Sequence, residues 1–205
     1  GSADEEDLEV QSGRRIPLED LPPLPKRSAA YSSEPWMGVC IVFILSAMLI
    51  RATQGGGLRA TVTLIWTEAA VAVLSMFYLL FGGAGVVRRS AKTCYPIPPQ
   101  VEERIRQGRS CKGLRNVRGP EGSRTLGSYC VRCLVWRPPS KDREVHHCNV
   151  CQRCVTGFDH HCGVFGRCIV QGNMPCFVAL IAMMFCGMTT AMIAAGASAE
   201  PAHGP

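Results

Sequence analysis

The sequence predicts an α-helical multi-pass membrane protein with a small irregular domain between its second and third spans. Two observations predict this class. Apolar residues are bunched into three long runs, at 36–50, 60–87 and 174–199, and a segment rich in cysteine and histidine at 129–173 separates the last two runs. Because that segment has almost no apolar residues with which to build a core, we expect bound zinc to stabilise its fold.

The second and third runs each hold a stretch free of charged residues, long enough to cross a hydrocarbon core of about 30 Å, which needs roughly 20 helical residues. The first run rises only about 22 Å, so it must recruit residues 29–35 or thin the bilayer. The alternative for each run is a buried helix of a soluble protein. A helix that is apolar on all sides would then need a larger core than 205 residues can build.

The net charge of +6 comes from basic residues that flank the apolar runs, which is typical of a membrane protein and not of a nucleic-acid-binding one. Arginine and lysine are concentrated before the first run and in the segment 88–170, whereas the loop 51–59 has few. The positive-inside rule therefore predicts a cytosolic N-terminus and a cytosolic cysteine-rich domain. We expect an integral protein of an endomembrane (Golgi or ER) or of the plasma membrane.

Composition divides the chain into eight segments. The first is too polar and too rich in proline to bury a core, and the fifth contains a charged stretch, VEERIRQGR, that favours a few helical turns. Glu68 is the one acid inside an apolar run. We interpret it as preceding the start of the second span or as reaching the membrane interface, rather than as an intramembrane functional group. The segments are a disordered cytosolic tail (1–35), membrane helix 1 (36–50), a short non-cytosolic loop (51–59), membrane helix 2 (60–87), a cytosolic linker (88–128), the cysteine-rich domain (129–173), membrane helix 3 (174–199) and a tail (200–205).

The cysteine-rich domain offers eleven candidate metal ligands. Zinc takes four ligands in a tetrahedron, and a CxxC turn presents two sulfurs to one ion, so two sites can be filled with three groups left over. One site would use the first CxxC pair, one of two neighbouring histidines and a later cysteine, and the other would use the second CxxC step with a histidine and a cysteine from 160–168. The candidates are Cys130, Cys133, His146, His147, Cys148, Cys151, Cys154, His160, His161, Cys162 and Cys168.

The groups left over suggest chemistry. If His161 and Cys168 bind metal, then Asp159, His160 and Cys162 remain close together in sequence. A thiol activated by an imidazole, which a carboxylate orients in turn, is the arrangement that nucleophilic catalysis requires.

The motifs CVRC, HHCNVCQRC and DHHC, with another cysteine six residues after the last one, resemble the cysteine-rich domain of the DHHC protein S-acyltransferases (palmitoyltransferases). The resemblance covers about 45 residues, from Cys130 to Phe177, and Asn173 and Phe177 also fall at positions where that family keeps Asn and Phe. The five residues 163–167, GVFGR, differ from the Pro-Trp-(Val/Ile)-Asn-Asn that usually follows DHHC in the family.

The resemblance implies two structural Zn²⁺ ions, one on Cys130, Cys133, His147 and Cys154, the other on Cys148, Cys151, His161 and Cys168. It implies a catalytic set in which Cys162 takes a fatty acyl group from acyl-CoA, His160 is the base, and Asp159 orients that imidazole. The implied partners are fatty acyl-CoA, membrane-associated proteins with an acceptor cysteine, and the lipid bilayer. The family fold is a bundle of usually four membrane helices, and we expect this chain to stop short of the fourth.

An alternative function is a membrane-anchored zinc module that binds a partner protein without catalysis. Nucleic-acid recognition is disfavoured because the ligand spacings are not those of a CxxC finger closed by HxxxH. A disulfide framework is disfavoured because the domain is predicted to lie in a reducing compartment.

Overall fold

The computed structural model describes residues 15–52, 59–83, 85–139 and 145–199. The predictions for residues 1–14, for most of the loop 51–59 and for the tail 200–205 lie outside these residues. Three long helices are long and apolar enough, by length and composition, to cross a membrane. They are α1 (Ala29–Ala52), α2 (Arg59–Phe81) and α5 (Met174–Ala199), and two short helices, α3 (Ala91–Cys94) and α4 (Pro99–Arg106), lie between the second and third of them.

Seven short strands form three antiparallel sheets in the described part of the chain. The first sheet has the order β1–β2–β3, and the other two are hairpins, β4–β5 and β6–β7. The strands are β1 (Val117–Arg118), β2 (Ser128–Cys130), β3 (Val135–Arg137), β4 (Val145–Cys148), β5 (Arg153–Thr156), β6 (Phe158–Cys162) and β7 (Arg167–Val170). The region between the second and third candidate spans is therefore a small, strand-rich, cysteine-rich segment.

The chain divides into two compact units, and the first comprises residues 15–25 and 87–139 of the described chain. Its core includes Tyr129 and Trp136, which face each other across β2 and β3 with ring centroids 5.1 Å apart. Buried apolar side chains from α3, α4 and the segment 15–25 belong to the same unit. Their burial explains why this small unit is ordered in spite of its polar composition.

The N-terminal segment differs from its prediction as a disordered tail. Residues 18–20 form a 3₁₀ helix, and Ile16 and Leu21 are buried. The Arg89 guanidinium donates to the Pro22 carbonyl at 2.6 Å, and the Arg15 guanidinium lies 4.9 Å from the centre of the Tyr95 ring. The segment is held in place by hydrogen bonds and ring contacts with residues about 70 to 80 positions later in the chain. Amino-acid composition alone does not reveal such contacts.

The linker predicted over 88–128 is also more structured than expected. It contains α3, α4 and β1, and Ser90 caps α3 through a reciprocal pair of hydrogen bonds with Thr93. Helix α4 contains residues 101–106 of the charged stretch that was expected to form helical turns, and the helix ends before residues 107–109. Cys94 and Val101 are fully buried, so one apolar side chain from each short helix anchors it to the core.

The second unit comprises residues 26–52, 59–83, 85–86 and 145–199 of the described chain and contains the three long helices together with both hairpins. Helices α1, α2 and α5 pack through a cluster of buried apolar side chains. That cluster continues into the β6–β7 hairpin, so this part of the cysteine-rich domain is packed against the helical bundle. Its members are Val42, Ala72, Met76, Leu79, Phe165, Ile169 and Leu180.

Glu68 lies inside the bundle and not at its edge. Its side chain is only 6% exposed, and Thr190 of α5 donates a hydrogen bond of 3.2 Å to Glu68 Oε1. The interfacial interpretation of this acid is therefore corrected. A hydroxyl on a neighbouring helix provides one polar partner for this buried carboxyl group.

Candidate functional site

Alternation along strand β4 separates neighbouring ligands. His147 lies directly opposite Cys154 of β5, so these two side chains point to the same face of the hairpin. Cys148, the next residue, points to the other face because successive side chains in a strand alternate. Two adjacent residues can therefore serve two different metal sites.

The two CxxC turns share one backbone geometry. The amide of Leu134 donates to the carbonyl of Cys130 at 2.7 Å, and the amide of Gln152 donates to the carbonyl of Cys148 at 2.8 Å. In both turns the residue after the second cysteine is left-handed, with φ of 56° at Leu134 and 52° at Gln152. This conformation is costly for a residue with a side chain, and it recurs here because it brings both sulfurs of each turn to one side.

The predicted metal ligands form two groups of three cysteines and one histidine. Within each group the ligand atoms all lie within 4.8 Å of one another. The first group is Cys130, Cys133, His147 and Cys154, and the second group is Cys148, Cys151, His161 and Cys168.

The geometry of the second group fits a tetrahedral zinc ion. The Nδ1 atom of His161 lies 3.5 Å from the sulfurs of Cys148 and Cys151 and 3.8 Å from that of Cys168. The sulfurs of Cys151 and Cys168 are 3.4 Å apart. A tetrahedron with Zn–S of about 2.3 Å and Zn–N of about 2.0 Å has N···S and S···S edges of about 3.5 and 3.8 Å. The donor set and the edges agree with Zn²⁺.

The thiols of the second group lie close enough to shift each other's pKa values. The contact with Cys168 lowers the pKa of Cys151, and the same contact together with burial raises the pKa of Cys168. Zinc would displace the protons of these thiols, because its cysteine ligands bind as thiolates.

Strand β6 carries the remaining reactive side chains. His161 lies opposite Cys168, whereas His160 lies opposite Ile169 and Cys162 opposite Arg167. We call the side of the hairpin that bears His161 and Cys168 the metal face, and the side that bears His160, Cys162 and Ile169 the reactive face. Alternation therefore sends the two histidines of DHHC to different surroundings.

On the reactive face, His160 is oriented by its neighbour. Its Nδ1–H donates to Asp159 Oδ2 at 2.7 Å, and a register irregularity between Phe158 and His160 leaves Asp159 outside the regular ladder. The two side chains are 43% and 55% exposed. The ring of Phe177, in the first turn of α5, packs edge-on to the imidazole at a centroid distance of 5.6 Å. The Nε2 atom is thereby the nitrogen that remains to accept a proton.

Cys162 is half-buried and packs against the apolar cluster that joins α1, α2 and α5. Its thiol therefore lies where the hairpin meets the bundle of candidate spans. Asn173, which also matches the resembled family, is buried and connects β7 to α5. Its side chain accepts from the amide of Val170 at 2.7 Å and donates to the carbonyl of Cys168 at 3.0 Å.

His146, the alternative ligand, does not belong to either group. Its ring stacks on Phe158 with centroids 4.3 Å apart. Two residues that sequence reasoning missed lie at the site. Glu34 is hydrogen-bonded to His161, and Arg167 donates to the carbonyls of Leu80 and Tyr31 at 3.1 and 3.0 Å. Neither belongs to a spacing motif, and no sequence signal links either of them to its partners.

Comparison with known proteins identifies the region that carries this site. No curated protein matches the chain significantly. A family model described as DHHC palmitoyltransferase matches residues 124–200, which include both groups of ligands, the whole β6–β7 hairpin and the third candidate span. The chain is therefore similar to the DHHC palmitoyltransferase family over residues 124–200, and it has three candidate membrane helices.

Proposed function

We propose that this protein is a protein S-acyltransferase, which moves a fatty acyl group, typically palmitoyl, from acyl-CoA to cysteine thiols of membrane-associated proteins. The single observation that carries the proposal is the reactive face of the β6–β7 hairpin. There a carboxylate-oriented imidazole and a half-buried thiol lie on one strand beside the apolar bundle. The family match of residues 124–200 supports the same reaction class.

In the first half-reaction Cys162 is the nucleophile. His160 Nε2 takes the thiol proton, and the resulting thiolate attacks the thioester carbonyl of acyl-CoA. The bond from the carbonyl carbon to the CoA sulfur breaks, the new bond to Cys162 forms, and the proton passes to the departing CoA thiolate. Asp159 holds the Nδ1–H of His160, so the other ring nitrogen is the one available for proton transfer.

In the second half-reaction the acceptor is a cysteine of another protein. His160 takes the proton of that thiol, the acceptor sulfur attacks the acyl-Cys162 thioester, and Cys162 leaves with the proton restored. Because Cys162 packs against the cluster that includes Val42, Met76 and Leu180, the acyl chain would extend among the apolar side chains of the bundle. The acceptor cysteine would approach from the exposed side of His160, at the cytosolic face of the membrane.

Zinc, when bound, would supply folding free energy and no chemistry of its own. The four ligands in each group leave no open coordination position, which is the arrangement of structural sites. Cys148, Cys151, His161 and Cys168 would hold one ion, and Cys130, Cys133, His147 and Cys154 the other. Their task is to keep β6 in the register that presents His160 and Cys162 on one face.

The test is acyl transfer to the protein itself. Purified protein incubated with a labelled fatty acyl-CoA should acquire label that hydroxylamine removes, and Cys162→Ser should lose this label while it keeps two zinc ions. Cys186→Ser is the matched control, because Cys186 lies exposed on α5 and should leave labelling unchanged. Hydroxylamine-sensitive label that persists in Cys162→Ser would refute the assignment of the nucleophile. Two bound zinc ions with no label in the unaltered protein would instead favour the partner-binding zinc module.

A further inference from the structure

Glu34 connects the first long helix to the second group of ligands. It lies on α1 immediately before Pro35, and its Oε2 atom is 2.9 Å from Nε2 of His161, a residue 127 positions later. The two side chains are only 27% and 14% exposed. A charged acceptor held this close to a mostly buried imidazole is a strong hydrogen bond and not a surface contact.

The surroundings of Nδ1, the other ring nitrogen of His161, decide which atom donates in this hydrogen bond. Nδ1 of His161 faces the three sulfurs of its group at 3.5 to 3.8 Å, so Nδ1 is the atom that would bind zinc. A nitrogen that binds metal carries no proton, and the ring proton must then be on Nε2. Nε2–H therefore donates to the Glu34 carboxylate, which selects the tautomer that the metal site needs.

The backbone of α1 is locally open where Glu34 lies. Pro35 has no amide hydrogen to donate to the carbonyl of Tyr31, and the Arg167 guanidinium donates to this carbonyl instead, at 3.0 Å. One turn later, the amide of Gly38 donates to the carbonyl of Val164 at 2.9 Å. The turn that links β6 to β7 is thus hydrogen-bonded to the first helix.

Side-chain contacts show the same close approach. A Cβ on Gly38 would lie 2.5 Å from the ring of Phe165, and a Cβ on Gly166 would lie 2.5 Å from Cδ of Pro35. The turn 163–166 is therefore seated against residues 35–38, and Glu34 is at the end of this contact next to the metal face. Residues 163–167 are also the ones that differ from the usual sequence of the resembled family.

We propose that Glu34 is a positioning residue of the second metal group, and that the first membrane helix is thereby an integral part of that zinc site. The inference rests on the structural zinc included in the proposed function. Histidines that bind zinc usually donate their second N–H to a carboxylate or carbonyl, which orients the ring and raises its basicity. Here the carboxylate comes from a membrane helix, so the helix holds His161 toward zinc and the rest of β6 in register.

The experiment measures zinc and not acyl transfer. Full-length protein loaded with zinc is titrated with a chromophoric chelator, and the two ions are followed as separate steps. Glu34→Ala should lower the affinity for one of the two zinc ions by about 10- to 100-fold, the usual effect of removing such a partner, and leave the affinity for the other ion unchanged. Glu34→Gln, whose amide oxygen still accepts a hydrogen bond, should lose clearly less zinc affinity. Glu121→Ala removes an exposed acid and is the charge-matched control.

A spectroscopic readout separates positioning from mere stability. In ¹⁵N-labelled protein the Nε2–H proton of His161 should resonate far downfield, move upfield in Glu34→Gln, and become undetectable through solvent exchange in Glu34→Ala. Unchanged zinc affinity in Glu34→Ala would overturn the proposal, and so would an equal loss of both ions, which indicates general unfolding. Unaltered protein that binds two zinc ions but takes no acyl label would reject acyl transfer and leave the role of Glu34 standing.

Discussion

The metal face and the reactive face of the β6–β7 hairpin are one residue apart and differ in almost every physical respect. On the metal face, His161 is 14% exposed, surrounded by three sulfurs and held by Glu34. On the reactive face, His160 is 43% exposed and hydrogen-bonded to the neighbouring Asp159. Strand alternation thus places two identical side chains in different surroundings, one within a group of three cysteines and the other accessible beside a carboxylate.

Under the proposed function, this difference implies that the metal sites would influence acyl transfer by fixing the register of β6. A slip of one residue in β6 would move each histidine to the opposite face and exchange their surroundings. Zinc bound to His161 and Cys168, which lie directly opposite each other, would prevent that slip. Alterations of the metal face should therefore affect both faces, whereas alterations of the reactive face should leave the metal face intact.

The largest effect is expected for His161→Ala. It removes a ligand from a structural zinc site, where binding contributes about 10–16 kcal/mol, as much as the whole stability of a typical domain. The zinc content should fall from two ions to one, and acyl labelling of Cys162 should disappear with it. Metal analysis together with labelling checks this. His146→Ala is the control, since His146 stacks on Phe158 outside both groups. Retention of both ions in His161→Ala would contradict the assignment.

His160→Ala should affect the reactive face alone. Loss of a positioned base slows proton transfer by about 100- to 10,000-fold, and the rate of acyl labelling should fall within that range. Zinc content and the midpoint of unfolding should match those of the unaltered protein. Loss of zinc in His160→Ala would contradict the expectation that a change on the reactive face leaves the metal face intact.

The smallest effect is expected in the turn that links β6 to β7. Gly166 has φ of 58°, and a Cβ there would lie 2.5 Å from Pro35, so Gly166→Ala should lower the free energy of unfolding by at least about 1 kcal/mol. Gly163→Ala is the matched control, because a Cβ at Gly163 meets nothing within 4 Å. Denaturant titration of both variants measures the difference. Equal stability of the two would mean that the turn does not depend on its contact with the first helix.

Some features of the fold follow from the sequence of one segment, whereas others depend on contacts with distant residues. The three apolar runs correspond to the three candidate spans because hydrophobicity over some 20 residues is a property of the segment itself. The segment 15–25 and the linker helices were underestimated, since their order depends on burying single apolar side chains such as Ile16 and Val101. Glu68 was misjudged for the same reason, because its partner Thr190 is on another helix.

By itself the sequence determined the three candidate spans and the inventory of cysteine and histidine ligands between the last two, because both follow from residue type and short spacing. The order of residues in β6 also places His160 and His161 on opposite faces, since successive side chains in a strand alternate. Only the tertiary structure decided that Glu34 and Arg167 belong to this site and that Glu68 is inside the bundle. Their partners are tens of residues or more away, and folding alone brings such distant groups within hydrogen-bonding distance.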